Sequence, residues 1–258
     1  MKKFKFKEKI LTIFCLIPLP FVVVAGNFTD NWPNGKTEKL QYEVITYGEQ
    51  NNKGQNSITV TRTGGEDDII IVTQHLNINN QAVIIKSNEK YDAQTFRLIQ
   101  SDNYFYFGPE AKVNYGIDSL IVTARPDGES LEILASDTLA VSCRIPFYDN
   151  LVTGMGAMLL GRSCVFDTGW SQSYRQVNLI NLTGEPYEIE KVTDSVIGEE
   201  TITLAMGSFD CYKVMKIMPN IIGYTYYSKK NDHLPIMIEA FDRTGTLRIM
   251  SIYLTARR

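Results

Sequence analysis

Beyond Trp32-Pro33-Asn34-Gly35 the chain breaks into short stretches in which apolar and polar residues alternate, with turn-forming residues between them. Alternation at period two marks antiparallel strands that have one face in a core and the other in water. In the first stretch Leu40, Tyr42, Val44 and Thr46 share one face, and Gln41 and Glu43 take the other. Asn51-Asn52-Lys53-Gly54 predicts a turn, because Asn and Gly tolerate positive φ. Ile58 and Val60 then alternate with Thr59 and Thr61, and Gly64-Gly65 separates them from a strand over 69–78. Asn79-Asn80 leads into Val83-Ile84-Ile85, and further strands are expected over 95–99, through the aromatic run Tyr104-Phe105-Tyr106-Phe107, and over 120–124. Arg125-Pro126-Asp127-Gly128 places Pro and Gly where a turn needs them, so 131–134 is expected to fold back on 120–124.

One segment departs from this period. From Tyr148 to Gly161 the apolar residues Leu151, Met155, Met158 and Leu159 recur at helical spacing, Asp149 or Asn150 offers an N-cap, and Gly161 a terminator. The internal Gly154 and Gly156 weaken a helix but let it lie close against a sheet. Strands resume over 175–182, 187–192, 200–206, 211–218, 222–228, 235–242 and 246–254, the last two flanking Asp242-Arg243-Thr244-Gly245. The expected fold is all-β: an antiparallel curled sheet or open β-barrel with one short helix packed against or inside it. Flat sheets of a dozen strands seldom persist.

The order Pro146-Phe147-Tyr148-Asp149-Asn150-Leu151, Gly198-Glu199-Glu200, 207–214 (Gly-Ser-Phe-Asp-Cys-Tyr-Lys-Val), Tyr226-Tyr227-Ser228, Leu234-Pro235-Ile236 and Gly245 before Leu254 resembles an exported bacterial domain-of-unknown-function family, number 3108. The resemblance spans roughly 40–255 and is carried by the second half. It implies a β-rich, barrel-like fold in the periplasm or outer envelope, with no settled activity. The chain departs from that pattern at Gly161-Arg162-Ser163-Cys164, where the family is more apolar.

The N-terminus changes the picture of where the domain works. Lys2, Lys3, Lys5, Lys7 and Lys9 precede an apolar run from Ile10 to Ala25, and Val23 and Ala25 stand where a signal peptidase needs small residues. Residues 1–25 are therefore read as a signal peptide and 26–258 as a single β-rich domain. The apolar run is too short and too proline-broken for a span. Removing it takes away five lysines and one glutamate and leaves 21 basic and 28 acidic side chains, a formal charge of −7. Nothing basic remains to attract a nucleic acid, and none is expected as a partner. Cys143, Cys164 and Cys211 remain, an odd and widely spaced set, expected to be free thiols.

Candidate chemistry is sparse. His75 and His233 stand far apart with no companion at metal-ligand spacing, and there is no Gly-x-Ser-x-Gly elbow. The carboxylate groups Glu66-Asp67-Asp68 and Glu199-Glu200 sit where acidic residues are usually solvated. No catalytic, cofactor-binding or metal-binding residues are assigned, and no cofactor is expected. Met155, Met158, Tyr224, Tyr226, Tyr104 and Tyr106 are the candidates for lining a lipophilic cavity inside the sheet. The expectation is a non-enzymatic binding or carrier module for a lipophilic or glycan envelope component. An interaction scaffold in an envelope assembly is the alternative, and a carboxylate hydrolase the third. On this reading the exported protein begins at Gly26, and its intact mass should correspond to residues 26–258; a mass retaining residues 1–25 overturns the cleavage assignment.

Overall fold

The computed structural model describes residues 35–258, apart from 49–50, 79–82, 95–96, 110–118, 128–129, 137–140, 147–150, 154–160, 165, 179–187 and 231. The signal segment, Met155 and Met158 thus lie outside the described residues. The first half of the chain forms β1 (Thr37–Thr46), β2 (Asn52–Arg62), β3 (Ile69–Ile78), β4 (Val83–Asp92), β5 (Leu98–Tyr106), β6 (Ser119–Asp127), β7 (Ser130–Ser136) and β8 (Val141–Pro146). The second forms β9 (Leu151–Thr153), β10 (Ser171–Asn178), β11 (Glu188–Leu204), β12 (Gly207–Ile217), β13 (Ile221–Ser228), β14 (Pro235–Asp242) and β15 (Arg248–Arg257).

All fifteen strands belong to one sheet, in the order β8-β7-β6-β5-β4-β3-β2-β1-β15-β14-β13-β12-β11-β10-β9. Each half is a meander of neighbours in sequence, and β1 and β15 join them antiparallel at the middle. The sheet is not closed: β8 and β9 form its two edges. Pro146 and Leu151 nevertheless end and begin those edges five residues apart, so they lie within about 18 Å of each other, the reach of an extended chain. A sheet this wide can bring its edges so close only by curling. β9 also comes near β5, consistent with an open barrel.

The alternation in β1 is realised as expected: Leu40, Tyr42 and Val44 are at 0–1% exposure, with Gln41 and Glu43 on the opposite face. Cross-strand partners share a face, so the register carries this inner face through Ile58 and Val60, Ile70 and Val72, and on the other side through Leu254, Ile252, Tyr227 and Val214.

Three local expectations are corrected. Asn52 to Gly54 lie inside β2, paired with Val44 to Thr46, and the turn falls earlier. The stretches 187–192 and 200–206 are parts of one strand of 17 residues, β11, which bends through a bulge between Val196 and Gly198. Leu151–Thr153, expected as the start of a helix, is a strand parallel to β10. Gly161–Ser163, at its expected end, is a 3-10 turn. β-Branched Val152 and Thr153 beside Gly154 suit extended backbone better than helix.

That 3-10 turn plugs the inner face, and its departure from an apolar pattern has a physical reason. Arg162 is 2% exposed and pairs with Glu38, itself 3% exposed. Its Nε donates to the Asp232 carbonyl at 2.9 Å. Arg257 Nε lies 2.6 Å from the other Glu38 oxygen and its guanidinium also pairs with Asp232. Gly161 lies so close to Tyr227 that a Cβ would sit 2.2 Å from the ring. Phe166, beside the turn, packs against Trp170, Tyr212, Tyr227 and His233.

Two stability predictions follow from the inner face. Glu38→Gln leaves the Arg162 guanidinium buried without its counter-charge and should cost about 3–5 kcal/mol, while Glu43→Gln, at the exposed Lys53 pair, should cost under about 1 kcal/mol; urea unfolding midpoints measure both. Lys216 and Asp194 face each other inside at 4.0 Å. Burial pulls the Lys216 ammonium down to about 8, against the upward pull of Asp194. Its folded value lies below the unfolded value of about 10.4, so the native state releases this proton first and gains stability as pH rises from about 8 to about 10. The stability advantage of the native chain over Lys216→Met should therefore widen over that range; a constant difference would show that the ammonium is not held down.

Candidate functional site

The outer face carries the hollow. Across β15, β1, β2 and β3 the register aligns Tyr253, Glu43, Gln55 and Asn77 in one row. A second row places Gln41, Ser57 and His75 beside it. Between Gln41 and Tyr42 the pairing with β15 shifts, leaving Thr255 as the extra residue of a bulge. Its hydroxyl donates to the Gln41 carbonyl at 3.0 Å. Such bulges bend a strand and re-aim its side chains. Here the bend opens a groove of about 720 Å³, lined by Gln41, Tyr42, Glu43, Lys53, Gly54, Gln55, Asn77, Thr255 and Ala256. Its volume is in the range of small-ligand sites, about 300–1,000 Å³.

The groove's chemistry is that of hydrogen bonding. Lys53 Nζ donates to Glu43 Oε1 at 3.2 Å, so its two charges offset one another. Gln41 Oε1 accepts from the Ser57 hydroxyl at 2.7 Å, leaving its amide nitrogen directed elsewhere. Gln55 is exposed, and primary amides both donate and accept. Gly54 is fixed by close strand approach, since a Cβ there would lie 2.3 Å from the Asn77 carbonyl oxygen.

The register directs the described tyrosines predicted to line a cavity to this outer face, where Tyr104, Tyr106 and Tyr224 are half-buried and Tyr226, at 2% exposure, is packed into the core cluster. Tyr104 and Tyr106 are half-buried, whereas Phe105 and Phe107 between and beyond them enter the core and stack on each other. Tyr224 and Tyr226 share a face with Lys213 and Glu239. Lys213 Nζ lies 5.2 and 5.1 Å from their ring centres. The Tyr226 hydroxyl donates to Glu239 Oε2 at 3.0 Å, and Arg248 pairs with the other Glu239 oxygen at 3.0 Å. The register places both pairs on one outer face, since the row from Tyr106 through Asn77, Gln55, Glu43 and Tyr253 continues by way of Met237 to Tyr226. The groove itself escaped sequence reading, because the bulge at Thr255 leaves no residue signature in β15.

The residues weighed for catalysis are held by structural partners. Asp68 accepts from Arg62 Nε at 2.8 Å and from the Gly64 N–H at 2.9 Å, and the Arg62 hydrogen bonds hold its carboxyl below the ordinary range. Glu200 pairs with Lys213 at 3.0 Å and Glu199 with Lys229, on opposite faces of β11. His75 is exposed on β3. His233 is stacked on Phe166 and interacts with the Cys164 backbone, and burial lowers its affinity for a proton. Burial, reinforced by Asp194, pushes the Cys164 thiol up to about 12, and burial with nearby carboxylates does the same for Cys211. A thiol held protonated is a poor nucleophile. Neither is in a disulfide; the Cys143 side chain lies outside the described residues. Among the described residues no group of histidine, cysteine and acidic side chains is arranged to hold a metal.

No family model matches the chain, and no curated protein matches it. Among solved structures it is similar to a beta-barrel-like protein of domain-of-unknown-function family 1849 from Brucella abortus, with 8% identity over 87% of this chain and 98% of that one, at a TM-score of 0.54. A family 1329 protein from Desulfovibrio piger shares 10% identity over 90% of this chain and 88% of that one, at a TM-score of 0.31. The first likeness shows the fold: an antiparallel, β-barrel-like domain of a kind found in uncharacterised bacterial proteins.

Proposed function

We propose that this chain is an exported, non-enzymatic binding module of the bacterial envelope, of the kind represented by domain-of-unknown-function family 3108, that holds an envelope component in its outer groove. The single observation that carries the reading is the groove at the β15 bulge beside β1: ligand-sized, lined by amides, a hydroxyl and a self-neutralised ion pair. A site of that composition orients a polar molecule by many weak hydrogen bonds. A lipophilic cargo is less well served. The described inner-face side chains around Leu40, Ile58 and Ile70 are at 0% exposure, so no water-sized space adjoins them. Export is supported by the basic and apolar N-terminus of the sequence.

Native mass spectrometry of the mature protein purified from an envelope fraction tests this. The expected spectrum shows the chain with a bound molecule, which Gln55→Trp, filling the groove, removes. A bare native chain, or a bound molecule that survives Gln55→Trp, overturns the proposal.

A further inference from the structure

The groove is the middle of a longer feature. Following the register outward, Asn77 is paired with Ile84 and Ile84 with Tyr106. In the neighbouring row His75 is paired with Lys86, Lys86 with Tyr104, and Tyr104 with Ile121. The outer face of six adjacent strands, β15, β1, β2, β3, β4 and β5, therefore carries one continuous track. Tyr253 stands at one end, Tyr104 and Tyr106 at the other, and Glu43, Gln41, Gln55, Ser57 and Asn77 fill the polar middle. Five strand spacings of about 4.8 Å give it a length of about 24 Å.

Both aromatic ends are built rather than incidental. Tyr253 and Tyr47 interact through their side chains, and the Arg248 guanidinium lies over the Tyr47 ring at 5.8 Å, which holds this end in place. Tyr104 and Tyr106 stand on alternate residues of β5 and remain half-exposed, while Phe105 between them and Phe107 beyond anchor the strand from inside. A face of this composition suits a ligand with two chemistries at regular intervals along its length. Aromatic faces take apolar C–H surfaces, and amides take hydroxyls as donors and acceptors at once. Pyranose rings joined in a chain present that combination, whereas an acyl chain has nothing for the amides and a polyanion meets only Lys86 of β4 along the track, because the groove lysine is already paired with Glu43.

Resting on the reading of the groove as a binding site, we infer that the outer track from Tyr253 to Tyr104 and Tyr106 is an oligosaccharide-binding platform, with a hydroxyl-rich glycan lying across the strands and its middle units in the groove.

Calorimetric titration of the mature full chain with cellotetraose, maltotetraose and chitotetraose tests this. At least one should bind, and Tyr253→Ala and Tyr104→Ala should each weaken it about tenfold. Met206→Ala, at the exposed turn between β11 and β12 and away from the track, should leave affinity unchanged. Far-ultraviolet circular dichroism should be the same for all three variants, since each side chain stands outside the sheet. Binding of none of the three saccharides, or binding indifferent to Tyr253 and Tyr104, overturns the inference. A groove-bound molecule in native mass spectrometry that is not a saccharide would sink this inference while leaving the groove's binding role standing.

Discussion

The structure depends on the ladder between β1 and β15. Every other pairing in the sheet joins strands that follow one another in the chain, at lower loop-closure cost: all are antiparallel except the parallel β9–β10 pair. β1 and β15 come from opposite ends of the domain, and their antiparallel register, bulge included, sets one meander against the other. The ladder runs to the last residue, where the Lys39 and Arg258 backbones exchange hydrogen bonds at 2.9 Å in both directions. Without it each meander would be a separate sheet with an apolar face open to water.

The same junction concentrates the buried charge. Glu38 on β1 and Arg257 on β15 meet beside Arg162 and Asp232, and the Tyr42 hydroxyl donates to the Pro235 carbonyl at 3.2 Å. Buried ions cost desolvation, which a network of this kind offsets only when all its members are in place. It therefore acts less as a source of net stability than as a registration device: the plug at Gly161–Ser163 fits only when the two halves are correctly aligned. The bulge that completes this alignment on the inside is also what opens the groove on the outside. Core assembly and candidate binding site are two faces of one irregularity in β15, where it pairs with β1.

Curling has a further consequence for function. In a sheet that bends round its own side chains, the inner face is spent on packing, and side chains presented to a partner must come from the outer face. Tyr104 and Phe105 illustrate the division: neighbours in sequence, one half-exposed outside and one in the core. The described interior holds polar residues as well, such as Gln74, whose Nε2 donates to Asn56 Oδ1 at 3.1 Å. These are tied to one another within the sheet, as buried polar groups must be.

The amino-acid sequence by itself determined the all-β class, the strand faces and most of the turns, because period-two alternation and turn residues act over a few neighbours. Leu40, Tyr42 and Val44 had to share a buried face whatever the topology, and Gly245, at a φ of 71°, had to turn the chain after Asp242. The segment from Leu151 to Gly161 was ambiguous for the same reason. Apolar residues at helical spacing and glycines that disfavour helix compete locally, and pairing with β10 decided Leu151–Thr153. Only the tertiary structure decided that Arg162 belongs inside, since a lone arginine is costly to bury and its partners, the Glu38 carboxylate and the Asp232 carbonyl, are 124 and 70 residues away. It alone decided, too, that Tyr253 and Gln55 share a row with Glu43 and that Tyr104 lies farther along the same face. Those neighbours are set by register, and register is a property of paired strands that no single strand carries.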